Sequence, residues 1–392
     1  MRHFDHIPGE DRRRLFHRQP ASFHRDDPVE VIAMALGATL YSPATRPALA
    51  ADITGGARYG VASMVVCLED AISDSDVPAA EANLVTQLRK LHEEDPDGVP
   101  LLFVRVRTPE QIQDLADRLG PALGLVTGFV LPKFTVAHGG AFLDEVARAE
   151  ERTGHRLLAM PVIESRDAVH HETRIDTLLD IARLLAKHRE RVPAVRLGAT
   201  DMCGVFGLRR PPDVTVYDLH PVAGVIADVV NVLGRADGTG FAVTGPVWEY
   251  FSSGERMFKP QLRQAPFERA HAVPLRRRII TAELDGLIRE VYLDKANGLT
   301  GKTVIHPSHV AAVHAMSVVT HEEYCDAADV LGVADGGAMA SSYANKMNEA
   351  GPHRAWAERL MLRARLFGVA APDIAFAELL EAAGARATTA TA

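Results

Sequence analysis

From residue 38 onward, short runs of apolar and β-branched residues alternate with longer stretches whose apolar positions recur at helical spacing. The runs are ATLYSP (38–43), SMVVCLED (63–70), LLFVRVR (101–107), GFVLPK (128–133), LLAMPVIES (157–165), AVRLGATD (194–201), FAVTGPVW (241–248) and KTVIHP (302–307). In the helical stretch IDTLLDIARLLAKHRE, Ile175, Leu178, Leu179, Ala182 and Leu185 fall on one stripe, as expected of a helix laid against a sheet. Eight strand–helix repeats predict an α/β fold, a (β/α)8 TIM barrel over residues 29–319, with HVAAVHAMSVV as the closing helix. Residues 1–28, rich in charge, His and Pro, read as a loose N-terminal arm. Residues 320–392 read as an appended C-terminal helical region, with GVADGGAM as a hinge or loop and ARATTATA as a frayed tail.

Charge changes this picture at the strand ends. SMVVCLED stops on two adjacent carboxylates, Glu69 and Asp70, which repel each other and resist desolvation. Other charged or titratable groups sit at or just past the strand ends: Arg46, Arg105 and Arg107, Lys133, Glu164, Asp201, Glu249 and His306. In a TIM barrel the C-terminal strand ends form the active-site rim, so these groups are expected to converge there.

Glu164 and Asp201 end neighbouring predicted strands. Two carboxylates facing one mouth suit a hard divalent cation that keeps water or substrate oxygens as its other ligands; the alternative is that they cap the helices that follow. Arg105 and Arg107 fall on one face of their strand, where a guanidinium needs an anionic partner, and Glu69 and Asp70 supply one. A structural ion-pair network and a substrate-anion role both remain open. Lys133 suits an electrostatic role better than a Schiff base, because neighbouring carboxylates keep it protonated. His306 reads as a base or as a histidine held by hydrogen bonds. His170 and His171, adjacent in sequence, read as a solvated pair. GLTGKT (298–303) is not a phosphate loop: Ala296 stands where the pattern needs glycine, and the motif precedes a strand.

Composition narrows the class. Of 392 residues, 47% are hydrophobic and 24% charged, enough for a sizeable core. The net charge of −8, from 43 basic and 51 acidic residues, argues against nucleic acid as the partner and leaves small charged metabolites. Three scattered cysteines, Cys67, Cys203 and Cys325, fit a reducing compartment, and the charged start lacks the apolar stretch of a secretory signal. With no membrane-spanning run, the expectation is a cytoplasmic protein.

Seven motifs, LYSPATRP, VVCLEDAI, VRVR, VLPK, PVIES, LGATD and GKTVIHPSHV, occur in this order. Together they resemble the citrate lyase β-subunit-like branch of the HpcH/HpaI aldolase family over residues 38 to about 315. The later stretch ANKMNEAGPHRAWAERLMLRARLFGV is similar to the subgroup found near tellurium-resistance genes. The resemblance implies a Mg2+-dependent (or Mn2+-dependent) carbon–carbon lyase or aldolase of TIM-barrel fold. Its substrate would be a 2-oxo or enolisable carboxylic acid, and its assembly a trimer or hexamer. It implies Glu164 and Asp201 as metal ligands and Arg105 as the catalytic arginine, supported by Glu69 and Asp70. Gly198, Ala199 and Thr200 would offer backbone N–H groups to a substrate carboxylate, with Arg46 and Lys133 as further substrate-binding cations.

Three departures stand out. Arg107 replaces the asparagine of VRVN. The stretch between Glu164 and Asp201 is longer than usual and should hold an extra or extended helix. After RPALAAD no basic residue comes before Arg58, which argues against coenzyme A as the handle. A second hypothesis follows from Arg107 and the appended helices: a barrel that binds a metal-chelated metabolite without turnover, within a stress-response or biosynthetic assembly.

Overall fold

The computed structural model describes residues 1–251, 284–333 and 336–384. Eight parallel strands close into a barrel: β1 (Ala38–Pro43), β2 (Ser63–Cys67), β3 (Leu101–Arg105), β4 (Val126–Leu131), β5 (Leu158–Ile163), β6 (Ala194–Leu197), β7 (Ala242–Trp248) and β8 (Thr300–Val304). Each strand pairs with the next, and β8 closes onto β1 through Ala38↔Lys302, Thr39↔Thr303 and Leu40↔Val304. All eight runs are strands. Several ladders stop short of the run they occupy, β2 at Cys67 and β3 at Arg105, so the charged residues that follow leave the sheet at the rim.

Helices wrap the barrel with one apolar stripe turned inward. Val77–Glu94, for example, buries Ala80, Leu84, Leu88 and Leu91. The helix His171–Ala186 is rotated from the expected stripe: Leu178, Ile181 and Leu185 are buried while Ile175 faces solvent. Buried Arg174 takes the place of an apolar residue there, and its guanidinium is paired with Asp228 at 2.8 Å. A short helix, Arg166–Val169, precedes it, so the stretch between Glu164 and Asp201 holds two successive helices. The helical run before Leu284 and the tail ARATTATA lie outside the described residues, as do 334 and 335 of GVADGGAM.

Residues 1–28 are not loose. Phe4 and Leu15 are fully buried, Phe16 and Phe23 nearly so, and all four join the main core. The His3 ring stacks on Phe367 at 4.0 Å and meets His314 edge-on at 4.6 Å. Phe16–Arg18 forms an antiparallel pair with Val369–Ala370, tying this segment to the end of the helix Ala350–Phe367. Arg25 donates to the carbonyls of Val126 (2.6 Å) and Arg156 (3.3 Å), where β4 and β5 begin, and Arg156 donates back to Asp27 at 2.7 Å. The abundance of charge concealed the few aromatic and aliphatic residues that anchor the arm. Among the described residues, no helix is long and apolar enough to cross a membrane.

Candidate active site

Arg105 is the last residue of β3 and its side chain is 11% exposed. Its Nη2 lies 2.6 Å from Glu69 Oε2, 2.9 Å from Asp70 Oδ2 and 3.1 Å from Glu164 Oε1. From β4, Lys133 Nζ reaches Glu69 Oε1 at 2.5 Å and Asp70 Oδ1 at 3.2 Å. Two cations therefore hold the adjacent carboxylates that end SMVVCLED. The geometry depends on an unusual backbone: Lys133 has φ +47°, a left-handed conformation that costs about 1–3 kcal/mol in a non-glycine residue. That turn aims its N–H at Glu164 Oε1, 2.8 Å away.

Burial opposes the charge on Arg105, but the carboxylates of Glu164 and Glu69 outweigh it and hold the guanidinium above its ordinary value. Burial likewise opposes the Lys133 charge, and the hydrogen bond and field of Glu69 overcome it. Glu69 is pushed up by burial and by its hydrogen bond with Asp70. Asp70 is held low: burial is outweighed by its hydrogen bond with Glu69 and by Arg105 and Lys133.

Glu164 follows β5 and Asp201 follows β6, strands paired at Ile163↔Leu197. Asp201 sits in the first turn of the helix Ala199–Val205 rather than on the strand itself. Neither residue caps a helix; those places belong to Ser165 and Gly198. Glu164 is 3% exposed, and burial, with Asp201 adding a like charge and Arg105 opposing, lifts its pKa to about 7. Its Oε1 accepts from Arg105 and Lys133, whereas its Oε2 is buried with no hydrogen-bond partner. No group of three or more His, Cys, Asp or Glu is gathered for a metal among the described residues, so a metal here would rest on two carboxylates.

The other expected residues divide. The Gly198 N–H is engaged by the Ile163 carbonyl at 3.1 Å, which narrows the substrate-binding expectation to Ala199 and Thr200. The Thr200 hydroxyl donates to Glu249 at 2.6 Å. Arg46 turns outward to Asp52 (2.6 Å) and has none of the cluster carboxylates as a partner. Arg107 pairs with none of the carboxylates that hold Arg105: it binds the loop after β2, through the carbonyls of Leu68 (2.6 Å), Glu69 (3.1 Å) and Ile72 (2.9 Å) and the carboxylate of Asp74 (2.6 Å). Arg107 lies two residues past the end of β3, within reach of the loop after β2. His306 is held by Ser308 at 2.7 Å and stacked on Phe251, and burial lowers its pKa. His170 and His171 line a surface cavity of about 330 Å3 with His220 and Phe206.

Two residues inside the barrel escaped sequence reasoning. Arg196 of β6 is 1% exposed and donates to Thr303 Oγ1 at 2.5 Å, and its guanidinium lies 5.3 Å from the ring centroid of Tyr41 on β1. An arginine in the body of an apolar strand was the available signal.

A closed parallel barrel with ion-paired carboxylates, a guanidinium and an ammonium gathered at its C-terminal strand ends is built as an enzyme of the TIM-barrel kind. Residues 30–369 match the family of C–C bond lyases of the TIM-barrel fold, and the chain belongs to that family. The match runs past the barrel into the appended helices, further than the motifs alone reach. The protein is thus an enzyme of the carbon–carbon lyase class. None of the curated proteins searched matches the sequence. Among solved structures, CitE from Mycobacterium tuberculosis, in complex with magnesium, acetoacetate and coenzyme A, is similar at 20% identity and TM-score 0.51, over 85% of this chain and 99% of that one. A magnesium/glyoxylate complex of malate synthase from Haloferax volcanii is similar at 15% identity and TM-score 0.50, over 70% and 73% of the two chains. At these identities the likeness shows the fold.

Proposed function

We propose that this lyase is Mg2+-dependent and acts on a 2-oxo or enolisable carboxylic acid, with Glu164 and Asp201 as the protein's metal ligands. The observation that carries the proposal is the second carboxylate oxygen of Glu164, buried and without a partner beside the charge of Asp201. A buried anion left without a hydrogen bond is costly, and a hard cation satisfies it with the oxygen chemistry that two carboxylates provide. Mn2+ fits the same donors. The magnesium in the CitE and malate synthase complexes supports this reading.

Magnesium, when bound, supplies a Lewis-acid charge for the oxygens of an enolising acid. The chain's own residues do the rest. Arg105 stabilises negative charge that develops on a substrate oxygen. Glu69 and Asp70 fix its guanidinium, and Lys133 pairs with both carboxylates and contributes positive charge at the mouth. Ala199 and Thr200 offer first-turn N–H groups to the substrate carboxylate.

The test is incubation with Mg2+ and a panel of 2-oxo acids and acyl-CoA thioesters, followed by mass spectrometry. A cleaved or condensed product that requires Mg2+ is the expected result. Tight, Mg2+-dependent binding without product across the panel would instead support the non-catalytic barrel.

A further inference from the structure

Arg196 poses an electrostatic problem that the proposed site leaves unsolved. Its guanidinium is fully buried, always charged, and has no carboxylate within ion-pair distance among the described residues. Its contacts are Thr303 Oγ1 at 2.5 Å, the sulfur of Met160 at 3.9 Å and the face of Tyr41. A buried charge without a counter-charge is strongly disfavoured unless an anion arrives at some stage.

Tyr41 is placed to become that anion. It lies on the inward face of β1, its ring covers the guanidinium, and it is only partly buried. Among the described residues no protein group hydrogen-bonds its hydroxyl, which distinguishes it from Tyr217 and Tyr250. The charged and titratable groups that act on it come from four strands: Arg196 (β6), Arg105 (β3), Cys67 (β2) and Glu164, just past β5. The phenol thus lies over the Arg196 guanidinium and within the field of Arg105 and Glu164. Burial raises its pKa, and the two arginines are the groups that oppose the rise.

We propose that Tyr41 carries the proton to and from the reacting carbon, and that Arg196 is the positioning residue that holds its phenolate. The inference rests on the enolate chemistry proposed above. In cleavage, the C–C bond breaks, its electron pair passes into the enolate, and the substrate hydroxyl becomes a carbonyl, releasing its proton to solvent. The enolate C=C pair then takes the Tyr41 proton: a C–H bond forms, the carbonyl is restored, and Tyr41 is left as phenolate against Arg196. Water returns a proton to Tyr41, and the hydroxide left behind combines with the proton released earlier. General acid–base groups of this kind contribute about 10²–10⁴-fold.

Pyruvate in D2O with Mg2+ isolates the proton-transfer step, because deuterium entering its methyl group, followed by proton NMR, reports enolisation without a second substrate. The wild type should gain thermal stability from Mg2+ plus pyruvate and should exchange. Tyr41→Phe, which keeps the ring over Arg196, should keep the ligand-induced stability and lose exchange by about 10²–10⁴-fold. Arg196→Gln should shift the rise of exchange with pH to higher pH, because removing a positive charge makes the phenol a weaker acid. Near-wild-type exchange by Tyr41→Phe overturns the inference, as does a wild type that is stabilised yet does not exchange. Loss of pyruvate-induced stability in Arg196→Gln with an unmoved pH profile also overturns it and assigns Arg196 to a substrate carboxylate. A wild type neither stabilised nor exchanging overturns the proposed function itself.

Discussion

Glu164 Oε2 lies 1.9 Å from the point that a Cβ on residue 198 would occupy, so the carboxylate of Glu164 fits only because residue 198 is glycine. Gly198 follows β6 and opens the turn toward Asp201, so its missing side chain leaves room for the Glu164 carboxylate beside that turn. Gly198→Ala should therefore displace Glu164 while leaving the barrel folded. The expected result is a loss of Mg2+ affinity of about 10–100-fold, the range seen when groups that orient metal ligands are changed. Titration calorimetry with Mg2+, alongside a thermal melt of the metal-free protein, checks both halves.

Arg105 is held by three carboxylates. Arg105→Ala should lower turnover by about 10²–10³-fold, the usual consequence of removing one donor to a developing oxyanion. Mg2+ binding should survive but need higher pH than in the wild type, because the Arg105 charge that favours ionised Glu164 is gone. A variant that retains near-wild-type turnover with the substrate identified from the panel excludes the role assigned to Arg105.

Glu164 makes stability pH-dependent with a definite sign. Its pKa rises from 4.5 to about 7 on folding. Between those values the unfolded chain has released this proton and the folded chain retains it, so the Glu164 contribution to stability falls as pH rises through the window. Metal-free Glu164→Gln should match the wild type near pH 4 and exceed it near pH 8, by up to about 3 kcal/mol in urea denaturation. Protons and Mg2+ compete for the same carboxylate, so Mg2+ affinity should weaken as the pH falls below about 7.

The Lys133 ammonium is kept protonated by Glu69 and Asp70, its pKa pushed above the ordinary lysine value against the effect of burial. Such an amine is a poor nucleophile. Incubation with pyruvate and borohydride should leave the mass of the protein unchanged, whereas a trapped adduct at Lys133 would establish a Schiff base in place of the electrostatic role.

Phe4 is fully buried and packs against Phe16 at 5.4 Å, in the segment expected to be loose. Phe4→Ala should cost about 3–5 kcal/mol, as a cavity in a packed core does. Chemical denaturation monitored by circular dichroism gives the value; a cost below about 0.5 kcal/mol would mark the arm as dispensable.

The barrel was legible because its signal is repeated: eight apolar runs, most of them followed by a helical stretch, and each run a strand. The charged rim was legible for a related reason, since Glu69, Asp70, Arg105, Lys133 and Glu164 stand where apolar runs break off. What sequence could not show depends on how backbone and side chains turn once a ladder ends. Arg107 lies past the end of its strand and places its guanidinium on the loop after β2 instead of on the carboxylates that hold Arg105. Arg46 likewise pairs with Asp52 and with none of the cluster carboxylates. Arg196 was hidden for the opposite reason: its isolation is apparent only when the seven other strands surround it. The arm was misread because its charge is plentiful and its anchors are few.

The pairing of Phe16–Arg18 with Val369–Ala370 sets a schedule for the nascent chain. β1 cannot gain both neighbours until β8 has been synthesised, and the aromatic anchors of the arm stay uncovered until residues near 370 leave the ribosome. Contacts so far apart in sequence form slowly and leave apolar surface open meanwhile. A ribosome stalled anywhere before that point holds a sticky, half-wrapped cylinder, so chaperone demand should end only when the two distant segments meet.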